Sequence, residues 1–549
     1  LVEFNNLPCM AYVNSKLKYY SDNKIDLVQD LTNVISAHVP WSSSDGCDRT
    51  SIENPKFLGE HYIEKVGFTQ VFMESYPMTG CYQDPVLNTI SKIPNTLPLT
   101  SGYRILANAI TSTEYDNWLQ DNLNHKPYAL EPGFLYDDPE CNSNDPSGLK
   151  QDRGNFRYRL HLGDTLSKLA GIPFIFMPQA HQWYRPGEVR REPTNQELKM
   201  MVYTSLCYGA KGIMYFSYGS EEGDGIHGRG IVNMDGNLVN ANYYGQSSTN
   251  GGGKWQTIQE INTKIKEKWG SYLISFDNSN RKTAIYNDEI ERTEFLTSYV
   301  NEIKTFGPLP TDPDAPDEIP EQPNNTYIQS AVFRNTEPNT RYLMLVNRRC
   351  SPYKPEQSEN GGRRNVMIRF DQNSEDFSGF NNWVIIDLET NLSVVTFNKS
   401  QNNLLDLGWY LPGEGKLYKI APVMQEGGTL VCDENIGNLG SFDCKDIVYG
   451  NGHNITIGQG ITINFADTAG IEMQGGNFLC GNDNTFGSTQ VNLKPKVPSA
   501  GWNGVSVSDG GITYIYNTIF ENPKAGEYSI TLANCSDIKV KYCTFNNNS

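Results

Sequence analysis

"GIPFIFMPQAHQWYRP", residues 171–186, changes character halfway along. Ile172 to Met177 form a short run apolar at almost every position, which suits a strand covered on both faces of a parallel sheet. Gln179, His181, Gln182, Trp183, Tyr184 and Arg185 then arrive together. In a parallel α/β barrel the loops that follow the strands converge at one rim, so a buried strand ending in polar and aromatic groups marks that rim.

Working outward, residues 1–275 alternate such strands with amphipathic helices. "CMAYVN" (9–14), "TQVFME" (69–74), "PFIFMP" (173–178) and "GIMYFSY" (212–218) read as strands. "KIDLVQDLTNVISAH" (24–38), "STEYDNWLQDNL" (112–123), "FRYRLHLGDTLSKLA" (156–170) and "NQELKMMVYTSLCYGA" (195–210) read as helices. A last helix, "WQTIQEINTKIKEKWG" (255–270), repeats Ile258, Ile261, Ile265 and Trp269 at helical spacing. Strand–helix alternation predicts a parallel α/β fold, and four strands make half of a TIM-type barrel. The other half is expected before Leu1 or within the long 79–155 insertion.

Residues 276–424 lose the helices. "YIQSAVF", "RYLMLVN", "RNVMIRF", "NWVIIDL", "LSVVTF" and "KLYKIAPV" predict an antiparallel β-sandwich. Within it "FGPLPTDPDAPDEIPEQPNN" (306–325) is too rich in prolines and acids to pack, and reads as an exposed loop. From 425 to 549 short alternating strands recur between Gly and Asn turns. "YIYNTIFEN" and "KVKYCTFNNN" align as successive coils with Phe520 and Phe545 equivalent, which predicts a right-handed parallel β-helix; a further sandwich is the competing reading. The chain starts at Leu1 and breaks off in mid-repeat, so it reads as a piece of a longer protein, in which any signal peptide would lie outside this sequence.

At 549 residues the chain exceeds one hydrophobic core. Its 45 Lys plus Arg against 63 Asp plus Glu give a formal charge of −18, which argues against nucleic acid and anionic membranes as main partners. No apolar run reaches the ~20 residues of a spanning helix, so no membrane insertion is expected. The cysteines number 11 and are scattered singly from Cys9 to Cys543, with no zinc-ligand spacing and no disulfide framework. Neither metal nor cofactor is implied. A neutral substrate fits this balance.

The residues after each strand can build a sugar site: Asn14; Glu74 and Tyr76; Gln179, His181 and Trp183; Tyr218. Aromatic faces stack on the C–H face of a pyranose, while amides and acids bind its hydroxyls. Several of these residues have ordinary alternatives: Glu74 pairing with a rim Arg such as Arg185, His181 and Trp183 packing within their loop, and Tyr76 and Tyr218 as packing groups. "YDDPEC" (136–141) reads as a solvated loop or loose cation site, and Glu188, Arg190, Arg191 and Glu192 as a surface ion-pair cluster.

"REPTNQELKMMVYTSLCYGAKGIMYFSYGS" (191–220) resembles the last helix–strand unit of glycoside-hydrolase barrels of the β-galactosidase-like clan. "GRGIVNMDGN" (228–237) and "KWQTIQEINTKIK" (254–266) are similar to the loop and helix that follow it, and "LGWYLPGEGKLYKIAP" (407–422) to the attached C-terminal sandwich. The resemblance spans roughly residues 1–424. It implies hydrolysis of glycosidic bonds by two carboxylates, about 5 Å apart in a retaining enzyme. It also implies glutamates at the ends of the fourth and seventh strands. Here the seventh strand offers "MPQAHQW", with Gln179 near the nucleophile's place, and an amide cannot form the glycosyl ester. Glu74 is then the best surviving acid. In the coil Asp443, Asp446, Asp467, Glu472 and Asp483 are dispersed, His453 is a lone histidine, and a substrate-holding or display role is expected. The reading that results is a secreted or surface-attached carbohydrate-active protein. A non-catalytic glycan binder and a purely structural or adhesive surface protein are the alternatives.

Overall fold

The computed structural model describes residues 173–185, 188–190, most of 193–232, 253–276, 299–306, 328–347, most of 363–483 and 489–547. It also gives the strands Ile35–Ala37, Val71–Ser75 and Lys282–Ile285, and single residues between 160 and 168. Expectations for 9–14, 112–123, 136–141 and 307–327 lie outside the described residues. What is described is mostly strand, in several sheets, with few helices.

A parallel sheet holds four strands in the order Ile35–Ala37, Val71–Ser75, Phe174–Pro178 and Gly212–Ile213. The first of these corrects the sequence reading, which put 24–38 in one helix. Its tail, "VISAHV", is rich in β-branched residues, and pairing Ile35 with Val71 and Ala37 with Met73 outweighs the weak helical periodicity there. Closure of the sheet into a barrel is not seen among the described residues.

Helix Asn195–Cys207 covers this sheet, and its end is legible in "CYGA". Gly209 adopts φ 81°, its N–H donates to Leu206 O (2.9 Å), and Ala210 N–H donates to Ser205 O (3.1 Å). That pair of bonds is the Schellman cap, which needs a left-handed residue and so favours glycine. The expected helix over 255–270 is three pieces: Lys254–Thr263, a π-helical turn Lys264–Trp269, and Gly270–Ser275. The π turn lies where Lys264 Nζ sits 4.7 Å from the Trp269 ring centroid and donates to Gly415 O (3.1 Å) in the next layer.

That layer is an antiparallel sheet of six strands, ordered Leu392–Asn398, Asn382–Asp387, Gly415–Pro422, Arg341–Asn347, Ile328–Phe333 and Lys282–Ile285. A second sheet pairs Val300–Phe306, Arg364–Phe370 and Leu405–Tyr410. The central strands of the larger sheet are buried at every position but Arg341 and Lys416, because both faces are covered. Ile328, Val332, Leu343, Leu345, Tyr418 and Ile420 face the smaller sheet. Ala331, Phe333, Tyr342, Met344, Val346 and Leu417 face the helices of the first zone, with Phe276 stacked on Phe333 at 4.7 Å. The fit there is close: a Cβ on Gly415 would stand 2.7 Å from the Tyr203 ring.

Beyond residue 427 come three all-parallel sheets of five strands each, in which every strand pairs with the strand three places later. The chain therefore runs as a three-sided coil. Inward columns follow the register: Ile436, Ile457, Cys480, Ile515 and Val540 on one side, and Phe442, Ile463, Leu493, Phe520 and Phe545 on another. Phe520 pairs with Phe545, as the aligned motifs predicted, and their rings stack at 5.1 Å.

The corners explain the asparagines. Asp509 and Asn534 (φ 50° and 52°), Asn517 and Tyr542 (47° and 59°), and Asn522 and Asn547 (44° and 51°) hold matching corners of successive turns. Asn and Asp tolerate this left-handed conformation better than other side-chain-bearing residues. A side-chain ladder runs beside them. Asp433 Oδ1 accepts from Asn454 N–H (2.9 Å), Asn454 Oδ1 from Asn477 N–H (2.8 Å), and Asn477 Oδ1 from Ile512 N–H (2.7 Å).

Candidate functional site

The parallel register aligns the strand ends. Glu74 pairs with Met177 and Ser75 with Pro178, while Phe176 pairs with Ile213 and Gln179 forms a bridge with Phe216. The main chains of Glu74 and Gln179 thus lie at one carboxyl edge of neighbouring strands. Asn14 and Tyr76 lie outside the described residues.

Segments 178–181 and 214–216 zip together beyond the sheet. Phe216 N–H donates to Pro178 O (3.2 Å), Ala180 N–H to Phe216 O (2.6 Å), and His181 Nδ1 lies 2.8 Å from the same Phe216 O. A carbonyl oxygen only accepts, so Nδ1 carries the hydrogen in this arrangement. The His181 ring also meets Phe216 edge-on at 5.1 Å. Gln179 Nε2 donates to His181 O (3.0 Å). Gln179 is 0% and His181 2% exposed, so both side chains bind the strand end to itself, whereas Tyr218 is 65% exposed at the same edge. Trp183 stands apart on a small antiparallel sheet ordered Glu188–Arg190, Gln182–Arg185, Ile226–Arg229 and Glu221–Gly223, where it pairs with Arg190 and Gly228. From the sequence, Trp183 and 228–237 are expected in loops, and here the structure differs. Their short runs, "QWYR", "EVR" and "IHGR", alternate too briefly to signal strands alone.

The neighbouring "YGS" and "GRGIV" motifs build the edge's support. Val232 N–H donates to Tyr218 O (2.7 Å), Ser220 Oγ to Val232 O (2.7 Å), and buried Lys254 Nζ to Gly230 O (3.0 Å). A Cβ on Gly230 would stand 2.4 Å from Gly219 O, so only glycine permits this crossing. Lys211 Nζ donates to Leu273 O and Phe276 O, capping the end of helix Gly270–Ser275.

In the coil, Asp443 pairs with Lys496 (2.6 Å) and Asp483 with Lys541 (3.3 Å). His453 Nδ1 is 3.8 Å from Asp433 Oδ1. No group of His, Cys, Asp or Glu among the described residues could hold a metal ion. No described helix is long and apolar enough to cross a membrane. Sequence reasoning missed Glu434, a buried carboxylate joining the six-stranded sheet to the coil. It accepts from Asn381 N–H (2.8 Å), Asn382 N–H (3.0 Å), Asn382 Nδ2 (3.0 Å) and Asn435 N–H (3.2 Å). The signal was the "NN" at 381–382, whose turn chemistry hid its role as a donor set.

A parallel sheet with polar strand ends, backed by antiparallel layers and a parallel coil, is the frame these residues define. No protein-family model matches the chain, and no curated protein matches it. Among solved structures, one described as a "putative alpha-N-acetylgalactosaminidase" from Bacillus halodurans C-125 aligns with 68% of this chain and 62% of its own, at 9% identity and a TM-score of 0.24. The chain thus spans under two thirds of that protein's length. At that level the overlay shows neither a shared site nor a shared reaction.

Proposed function

We propose that the chain is a secreted or surface-attached carbohydrate-active protein that hydrolyses O-glycosidic bonds of an oligo- or polysaccharide. In this reading the parallel sheet belongs to a glycosidase-like (β/α)8 barrel over 1–275. The antiparallel sheets form a β-sandwich over 276–424, and the coil is a right-handed parallel β-helix over 425–549. The observation that supports it most is the register of Glu74 with Met177, two residues before Gln179, which puts a carboxylate-bearing residue at the polar carboxyl edge of a parallel sheet. The resemblance at 191–220 points the same way.

Glu74 then carries the chemistry. Protonated, it gives its proton to the leaving oxygen; ionised, it attacks the anomeric carbon, and a second carboxylate takes the other part. Asn14, Tyr76, Trp183 and Tyr218 hold the sugar in this scheme, and buried Gln179 and His181 fix the strand end beneath it. A second reading, a glycan binder without hydrolysis, is favoured by Gln179, which stands where the resemblance expects a glutamate and is buried against His181 O.

A panel of chromogenic glycosides decides between them. Hydrolysis of at least one is expected. Glu74→Gln keeps the side chain's shape and should lower kcat by about 100-fold to 10,000-fold with little change in KM. Unchanged hydrolysis in that variant removes Glu74 from the mechanism. Absence of hydrolysis by the unaltered protein across the panel removes the hydrolytic reading.

A further inference from the structure

The outer face of the three-stranded sheet is laid out as a grid. Burial alternates along its strands, so Glu302, Lys304 and Phe306, then Asn365, Met367 and Arg369, then Asp406 and Trp409, point away from the core. The register sets Phe306 beside Asn365 and Asn365 beside Trp409, with Lys304, Met367 and Asp406 in the next row. Directly opposed residues of antiparallel strands share a face. Two aromatic rings, Phe306 at 49% and Trp409 at 45% exposure, therefore flank one amide.

Trp409 is outside because the strand is irregular there. Strict alternation from inward Leu407 would turn Trp409 inward as well. The register instead shifts between Asn365 and Met367, Gly408 takes φ 82°, and Asp406 Oδ1 accepts from Gly408 N–H (2.8 Å). Such a bulge re-aims one side chain and commonly sits beside functional surfaces. The indole is held by the Arg363 guanidinium, 5.0 Å from the ring centroid.

We infer that this face is a platform for a neutral glycan chain, with Phe306 and Trp409 stacking on sugar rings and Asn365 between them bonding hydroxyls. The charges favour that occupant. Glu302 binds both Lys304 (3.1 Å) and Arg369 (3.3 Å), and with Asp406 and the Arg363 guanidinium the face sets two acids against three bases, an excess of one positive charge that is a weak field for recruiting a polyanion. The rings stand on strands two apart, about 10 Å, a span that a disaccharide covers. The apolar surface is divided by an amide and ion pairs, which suits a polar ligand with C–H faces better than a protein's apolar patch. The platform lies in the sandwich and does not depend on hydrolysis at the barrel edge.

Affinity electrophoresis through gels containing hydroxyethylcellulose, arabinoxylan, galactomannan or laminarin, with polygalacturonate as the anionic comparison, tests it. Retardation by at least one neutral polysaccharide is expected, about tenfold weaker in Trp409→Ala and in Phe306→Ala and largely kept in Trp409→Phe. Both rings point outward from different strands, and equal urea midpoints for the variants exclude misfolding. Hydrolysis of a small chromogenic glycoside, if present, stays unchanged in both variants. If it is absent, the retardation result stands unaffected. Four outcomes overturn the inference: no retardation by any neutral polysaccharide, retardation equal in both alanine variants and the unaltered protein, stronger retardation by polygalacturonate, or self-association abolished by Trp409→Ala.

Discussion

Replacing Glu434 by Gln probes the seam between the six-stranded sheet and the coil. The carboxylate is buried and receives four N–H donors, two on each oxygen, from Asn381, Asn382 and Asn435. An amide keeps one oxygen and turns an NH2 toward the other two donors. Each donor left unsatisfied costs about 1–3 kcal/mol, so with two such donors the variant should lose about 2–6 kcal/mol. Burial is the largest influence on the carboxyl and holds its pKa above the ordinary 4.5, while the four donors pull the other way without offsetting it. A group that binds its proton more tightly when folded contributes its full stability below the unfolded pKa and loses it as pH rises through the folded one. The stability gap between the unaltered protein and Glu434→Gln should therefore be largest below pH 4.5 and shrink above it. Urea unfolding followed by the fluorescence of the buried indoles, at about pH 4 and about pH 7, measures the gap. A gap that widens toward pH 7 would mean that the donors outweigh burial, and equal stability at both pH values would refute the network itself.

Two further substitutions test the packing on either side. Gly415→Ala drives a methyl to 2.7 Å from the Tyr203 ring and should cost about 1–3 kcal/mol, read as a lower urea midpoint. Asn477→Ala removes the acceptor of Ile512 N–H (2.7 Å) and should cost about 1 kcal/mol, with faster hydrogen exchange at that amide.

The elements most legible in the sequence were those with a strong local signal. The helix ending in "CYGA", the strand "FIFMP", the antiparallel strands such as "RYLMLVN" and the pairing of Phe520 with Phe545 all rest on periodicity or turn chemistry within a few residues. What failed was decided by tertiary neighbours. Ile35–Ala37 is a strand because Val71–Ser75 lies beside it, and the segment around Trp183 pairs with a partner some forty residues away. At the candidate site the polar tip of 179–181 was plain in the sequence. Its direction was not: Gln179 and His181 turn inward to main-chain oxygens, which no pattern of residue types encodes. Trp409 is the converse case, since only the irregular register reveals that it points out.

The six-stranded sheet has consequences for anyone who cuts the chain. Since each of its faces is roofed by a different part of the molecule, a fragment limited to 276–424 would bare Phe333, Tyr342, Met344, Val346 and Leu417 to water. Such a fragment should clump rather than behave as an autonomous module, and removing the coil would strip Phe380 of its edge-on neighbour Phe442. Proteolytic nicks that spare the three layers should, by the same logic, leave the pieces clinging together until denaturant parts them.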